Sequence, residues 1–172
     1  MEAIKIIGLT VLAAIIYGIL HDQITARVCL EYFTVFPPDI FHTQSPTLLA
    51  LGWGVVATWW AGLIVGVPLA LAARAGRWPK RSARSTIGPI VGMLGTMALF
   101  ATLTGITGYL MARDGTVKID PHLATLIPPR HQAAFVGDWF AHMTSYVVGF
   151  LCGIVLWIST FRSRLKAARS VK

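Results

Sequence analysis

Four long apolar stretches, separated by polar ones, set the pattern of this chain. Residues 3–20 carry a single charge, Lys5, and residues 46–73, 86–112 and 139–161 contain no Asp, Glu, Lys or Arg. About 20 apolar residues in helical form cross the hydrocarbon core of a bilayer. Each stretch therefore predicts a membrane-spanning helix, and the fold class expected is an all-α integral membrane protein, a four-transmembrane-helix bundle forming one domain over residues 1–172. A cleaved signal peptide competes for the first stretch, but His21 follows it without a small-x-small cleavage site, which favours an uncleaved anchor.

Between the spans, the polar segments carry their own start and stop signals. Pro37-Pro38 ends any helix that continues from the first span, and Ser45-Pro46 is a cap followed by proline at the first helical position. Residues 22–34 fit two patterns. Arg27 and Glu31 are spaced for an i,i+4 pair on a helix, whereas Val28, Leu30 and Tyr32 alternate with polar residues as in a strand. Pro68 is expected to kink the inner end of the second span. Asp120-Pro121 predicts a short surface helix that Pro128-Pro129 ends. From Arg130 a helical pattern can run into the fourth span, with Gly137 weakening its continuity.

Within the spans, small residues recur every fourth position. Gly54, Thr58, Gly62 and Gly66 form one such row, and Ser145, Gly149 and Gly153 another. In lipid, where apolar side chains gain nothing by leaving the solvent, small faces let helices pack closely. These residues are the expected helix-packing positions, within the chain or between copies, which leaves open a homo-oligomer or a membrane-protein partner.

Composition strengthens the membrane reading: 55% of residues are apolar and only 13% charged, against roughly 25% charged in soluble domains. The net charge of +8 does not indicate a nucleic-acid binder, because the basic residues flank apolar segments without aromatic or glycine patterning. Lys5, the turn containing Arg74, Arg77, Lys80, Arg81 and Arg84, and the tail containing Arg162, Arg164, Lys166, Arg169 and Lys172 belong to one side. Only Arg27, Arg113, Lys118 and Arg130 fall on the other. The positive-inside rule then predicts both termini in the cytoplasm (N-in/C-in), an inner loop at 74–85, and two periplasmic loops at 21–45 and 113–138. Cys29 and Cys152 lie too far apart on this topology for a disulfide and form no C-x-x-C pair.

The same topology places all five histidines, and every acid but Glu2, on the outer side or at its interface. Asp138 and His142 share a helix face at i,i+4 spacing, and His21 and Asp22 end the first span at a similar depth. A periplasmic-face site built from His21, Asp22, Glu31, Asp138 and His142 is the candidate, with a divalent metal as the expected cofactor. Haem held between His21 and His142 is a narrower variant. No spacing matches an established metal or nucleophile motif, so no catalytic residue is assigned. The competing expectation is a non-catalytic membrane subunit or scaffold that associates through its small-residue faces.

The run His21-Asp22-Gln23-Ile24-Thr25-Ala26-Arg27-Val28-Cys29-Leu30-Glu31-Tyr32-Phe33-Thr34, then Ser45-Pro46-Thr47, then Gly52 through Trp60, resembles an uncharacterised family of small bacterial four-span membrane proteins over nearly the whole chain. The resemblance implies a location in the bacterial inner (plasma) membrane and supplies neither an activity nor site residues. The Asp138-x-x-x-His142 spacing is also similar to part of a metal site in a subunit of membrane-bound methane and ammonia monooxygenases. Val155 stands where that pattern would place a further histidine.

Overall fold

The computed structural model describes residues 1–170, so Lys172 of the basic tail lies outside the described residues. Helix α1 spans Glu2–Val28 and the single turn α2 spans Glu31–Thr34. The second span is two helices, α3 at Pro46–Val56 and α4 at Trp59–Arg74. A 3₁₀ turn, Ala83–Thr86, leads into α5 at Ile87–Arg113. The short α6 covers Pro121–Leu126, and α7 runs over 41 residues, Pro129–Arg169. There is no strand among the described residues, and four helical segments are long and apolar enough to cross a membrane.

The bundle consists of two halves. α1 packs along α3 and α4, α5 packs along α7, and α4 meets α7 between them. Leu12, Ile16, Leu20 and Ile24, spaced every fourth residue on α1, are exposed, as are Leu99, Leu103, Ile106 and Leu110 on α5. Such wide apolar faces suit contact with lipid. The N-terminus, the turn after α4 and the end of α7 share one end of the bundle. There Glu2 Oε2 accepts from the Ala83 amide at 3.0 Å. Arg164, only 1% exposed, donates to the carbonyls of Ala72, Ala75, Trp78 and Pro79. The 35–45 and 114–128 segments close the opposite, loop end.

Several boundaries differ from those expected. The first span continues to Val28, so His21 and Asp22 lie inside a helix and not at its end. Thr25 Oγ1 bonds the His21 carbonyl, and Arg27 reaches back to Gln23 and across to Thr47 Oγ1, which hold this last turn helical. The chain then turns at Cys29, whose backbone is extended, before α2. The fourth span begins ten residues before Trp139, at Pro129, and passes through Gly137 without a break. A Cβ on Gly137 would come within 3.0 Å of the Gly105 carbonyl oxygen, so close packing against α5 explains the glycine there. The same helix continues through the basic tail to Arg169. At 1.5 Å per residue it is about 60 Å long, which is twice a bilayer's hydrocarbon core.

The second span is interrupted at Ala57–Thr58 and runs on through Pro68. Thr58 explains the interruption locally. Its hydroxyl takes the Gly54 carbonyl that its own amide would occupy in a regular helix, and the amide bonds Val55 at 3.3 Å instead. The Ala57 carbonyl released by the break accepts from the Tyr146 hydroxyl of α7 at 3.0 Å. Non-helical backbone at such a depth needs this kind of protein partner.

Candidate metal centre at the loop end of the bundle

Three residues from two helices converge on one point. Nitrogen and oxygen atoms of His21, Asp22 and His142 lie within 4.8 Å of one another. α1 supplies the first two as neighbours, and α7 supplies the third. Asp22 is 5% exposed and the His142 side chain 12%.

One hydrogen bond of His142 settles the role of its Nδ1. Its Nδ1 lies 2.7 Å from the Asp138 main-chain oxygen, which can only accept, so Nδ1 carries the hydrogen. Nε2 then faces Asp22 Oδ1 at 3.3 Å. A neutral imidazole in this tautomer presents a lone pair to a carboxylate, two acceptors with nothing between them. The pair needs something between them: a hydrogen, on the imidazole or on the Asp22 carboxyl, or a metal ion. His21 Nε2, also buried, has no hydrogen-bond partner. A ring N–H donated to a backbone carbonyl, with the other nitrogen turned to a shared focus, is the usual setting of a metal-bound histidine.

Aromatic rings hold the cluster. Tyr32 of α2 stacks on His142 with ring centroids 4.3 Å apart, and His21 meets His142 edge to face at 4.6 Å. Tyr17, one turn before His21, stacks on it at 5.7 Å, and its hydroxyl bonds Ser145 Oγ at 2.8 Å. The 4.6 Å edge-to-face contact of the two imidazoles leaves no room for a porphyrin plane between them, so these histidines do not form a bis-axial haem site.

Of the five residues expected at the site, Glu31 and Asp138 stand apart from this focus. Glu31 bonds His131 Nδ1 at 2.5 Å and accepts from the Cys29 thiol at 3.4 Å. Burial pushes the Glu31 carboxyl up, but the bonds from His131 and Cys29 outweigh it and leave it below the usual carboxylate range. Burial raises the Cys29 thiol to about 12, so it stays protonated and serves as a donor. Arg27 pairs with neither acid. Asp138 follows Gly137 at the α5 contact and lines a second cleft of about 380 Å³ between α1, α5 and α7, which His21 also lines, and its Oδ2 has no partner. It serves the cluster through its main-chain oxygen. The i,i+4 spacing to His142 is satisfied by a backbone bond, which periodicity alone cannot distinguish from a shared ligand.

The expected packing positions meet other helices of the same chain. A Cβ on Gly54 would come within 2.6 Å of the Ile19 backbone, and one on Gly62 within 2.6 Å of Val11. Gly66 faces Thr10, and Thr58 faces Gly18. Gly149 lies against Met97 and Gly153 against Val65, while Ser145 is bonded to Tyr17. The residues that sequence reasoning missed are Tyr17, Tyr32 and Phe33. Their signal was proximity in the chain to His21 and Glu31, which says nothing about ring stacking across helices.

Below the cluster, a cavity of about 450 Å³ runs between the two halves of the bundle. Asp22, His21 and His142 lie at one end of it, and Thr10 and Val65 further along. No Lys or Arg among the described residues lines it.

No protein-family model matches this chain, and no curated protein or solved structure is similar enough to count as a match.

Proposed function

We propose that this four-span protein binds a divalent transition metal through His21, Asp22 and His142, at the periplasmic face of the bacterial inner membrane. The observation that carries the reading is the pairing of a lone-pair nitrogen of His142 with Asp22, beside the unpartnered His21 Nε2. Two imidazoles and one carboxylate form a donor set suited to zinc or ferrous iron, with coordination positions left for a ligand. The basic residues at the opposite end, on Arg74–Arg84 and Arg162–Arg169, support a cytoplasmic position for that end.

Elemental analysis of the detergent-purified protein tests the metal reading. Near-stoichiometric metal is expected, lost in His142→Ala and Asp22→Ala and retained in Asp138→Asn, whose carboxylate is not at the focus. A metal-free wild type that gains none on incubation with zinc or ferrous iron would overturn it.

A second reading, a subunit that associates through small-residue faces, draws on a different set of glycines. A Cβ on Gly88, Gly92 or Gly95 of α5 would meet nothing within 4 Å. That face is free for another helix, and a cross-link between α5 helices of two copies would support it.

A further inference from the structure

The cavity beneath the three-residue cluster is amphiphilic in a specific way. Its histidines and its one acid gather at the end formed by His21, Asp22 and His142, and the rest of its lining is aliphatic, aromatic or thioether apart from the hydroxyls of Thr10, Thr58, Ser145 and the three tyrosines. Trp60 and Ile64 of α4 and Phe150 of α7 line it and are 41%, 47% and 50% exposed. The cavity therefore opens toward lipid between those two helices. Its wall includes the break at Ala57–Thr58, where Tyr146 holds the free carbonyl and stacks on Trp60 at 5.7 Å. Interrupted helices beside a cavity are a recurrent feature of binding sites in membrane proteins.

Charge and shape narrow the occupant. A phospholipid or other phosphate would find no Lys or Arg in the lining, and a fatty acid would bring its carboxylate to Asp22. A neutral head group with oxygen acceptors or hydroxyl donors suits the imidazoles. Tyr17, Tyr32, Trp53, Trp60 and Tyr146 around the upper part favour a flat ring over an aliphatic alcohol. A volume of about 450 Å³ lies within the usual range of small-molecule sites, roughly 300–1,000 Å³.

We propose that this cavity binds a lipid-soluble quinone or quinol, its ring oxygen at the open side of the His21–Asp22–His142 cluster and its tail directed past Ala14 and Ala61 toward Thr10 and Val65. The proposal rests on the reading of that cluster as a binding site. The ligand enters from the bilayer, with no path through the polar loops required.

Quinones quench indole fluorescence at short range, and Trp53 and Trp60 line the cavity. Titration of the purified protein in nanodiscs with decylubiquinone should give saturable quenching. Filling the cavity away from the cluster, by Ala14→Phe or the milder Ala61→Leu, should weaken binding at least tenfold while leaving zinc uptake unchanged. Linear, unsaturable quenching in the wild type would overturn the proposal. So would unchanged affinity in both filled variants, or equal displacement by 1-decanol, which lacks a ring. Zinc uptake without quinone binding would remove this proposal and leave the metal reading standing. Quinone binding without metal uptake would do the reverse. If Ala14→Phe does not fold, Ala61→Leu carries the test.

Discussion

At the scale of single residues, the proposed site depends on a histidine whose orientation is set by groups that do not touch the metal position. The Asp138 carbonyl holds Nδ1 of His142, and the Tyr32 ring covers its face. An aromatic pair of this kind contributes about 0.5–1.5 kcal/mol. Tyr32→Ala should therefore weaken metal binding by roughly threefold to tenfold, whereas Tyr32→Phe, which keeps the ring, should bind as the wild type does. Competition with a chromogenic chelator measures both. Glu31 offers a prediction in pH. Its carboxyl lies below the usual range because His131 and Cys29 bond the ionised form more than burial penalises it. A depressed carboxyl stabilises the fold fully above its unfolded value and loses that contribution as pH falls through the folded one. Thermal unfolding in detergent between pH 7 and pH 3 should thus show a decline that is shallower in Glu31→Gln. Equal slopes would mean that the Glu31–His131 bond does not hold the loop end.

At the scale of elements, glycines divide into those pressed against backbone and those facing open space. On Gly62 a new Cβ meets the Val11 backbone at 2.6 Å, and a main chain cannot rotate away. Gly62→Val should separate α1 from α4 and lower the unfolding temperature sharply. Gly92→Ala, with nothing within 4 Å, should be neutral or stabilising by up to about 1 kcal/mol. A differential scanning fluorimetry comparison of the two separates packing from propensity. The same rows show what could be read from the sequence. Four apolar runs of the length a bilayer requires were legible because lipid imposes length and composition, and the four candidate spans follow them. Their ends were not. The last turn of α1 is held by Arg27 reaching Thr47 on another helix, and α7 runs unbroken through Gly137 because that residue fits against α5. Both are tertiary contacts with no local signature, whereas the start of α7 carries the local one of proline in the first turn. Of the five site residues, His21, Asp22 and His142 come together. Glu31 and Asp138 were included on charge and spacing, and each satisfies that charge or spacing in another way.

At the scale of the whole molecule, two helical halves are pinned at both ends and touch at points between, such as Tyr146 on the Ala57 carbonyl and Trp157 on the Val65 carbonyl. Glu31 of α2 reaches His131 of α7 at the loop end, and Arg164 of α7 gathers carbonyls from the α4–α5 turn at the other. The cavity occupies the space between these ties. Arg164 is the stronger one, because its planar fork serves four acceptors at once. Hydrogen bonds from a charged donor contribute about 1.5–3 kcal/mol each before desolvation is counted. Lysine offers a single rounded ammonium where the fork spans several directions. Arg164→Lys should therefore destabilise the protein by about 2 kcal/mol or more, while Arg162→Lys, whose side chain is exposed, should do almost nothing. Chemical unfolding in mixed micelles reads the difference. If the two variants unfold alike, the carbonyl cluster does not join the halves at that end, and the cavity between them owes its shape to helix packing alone.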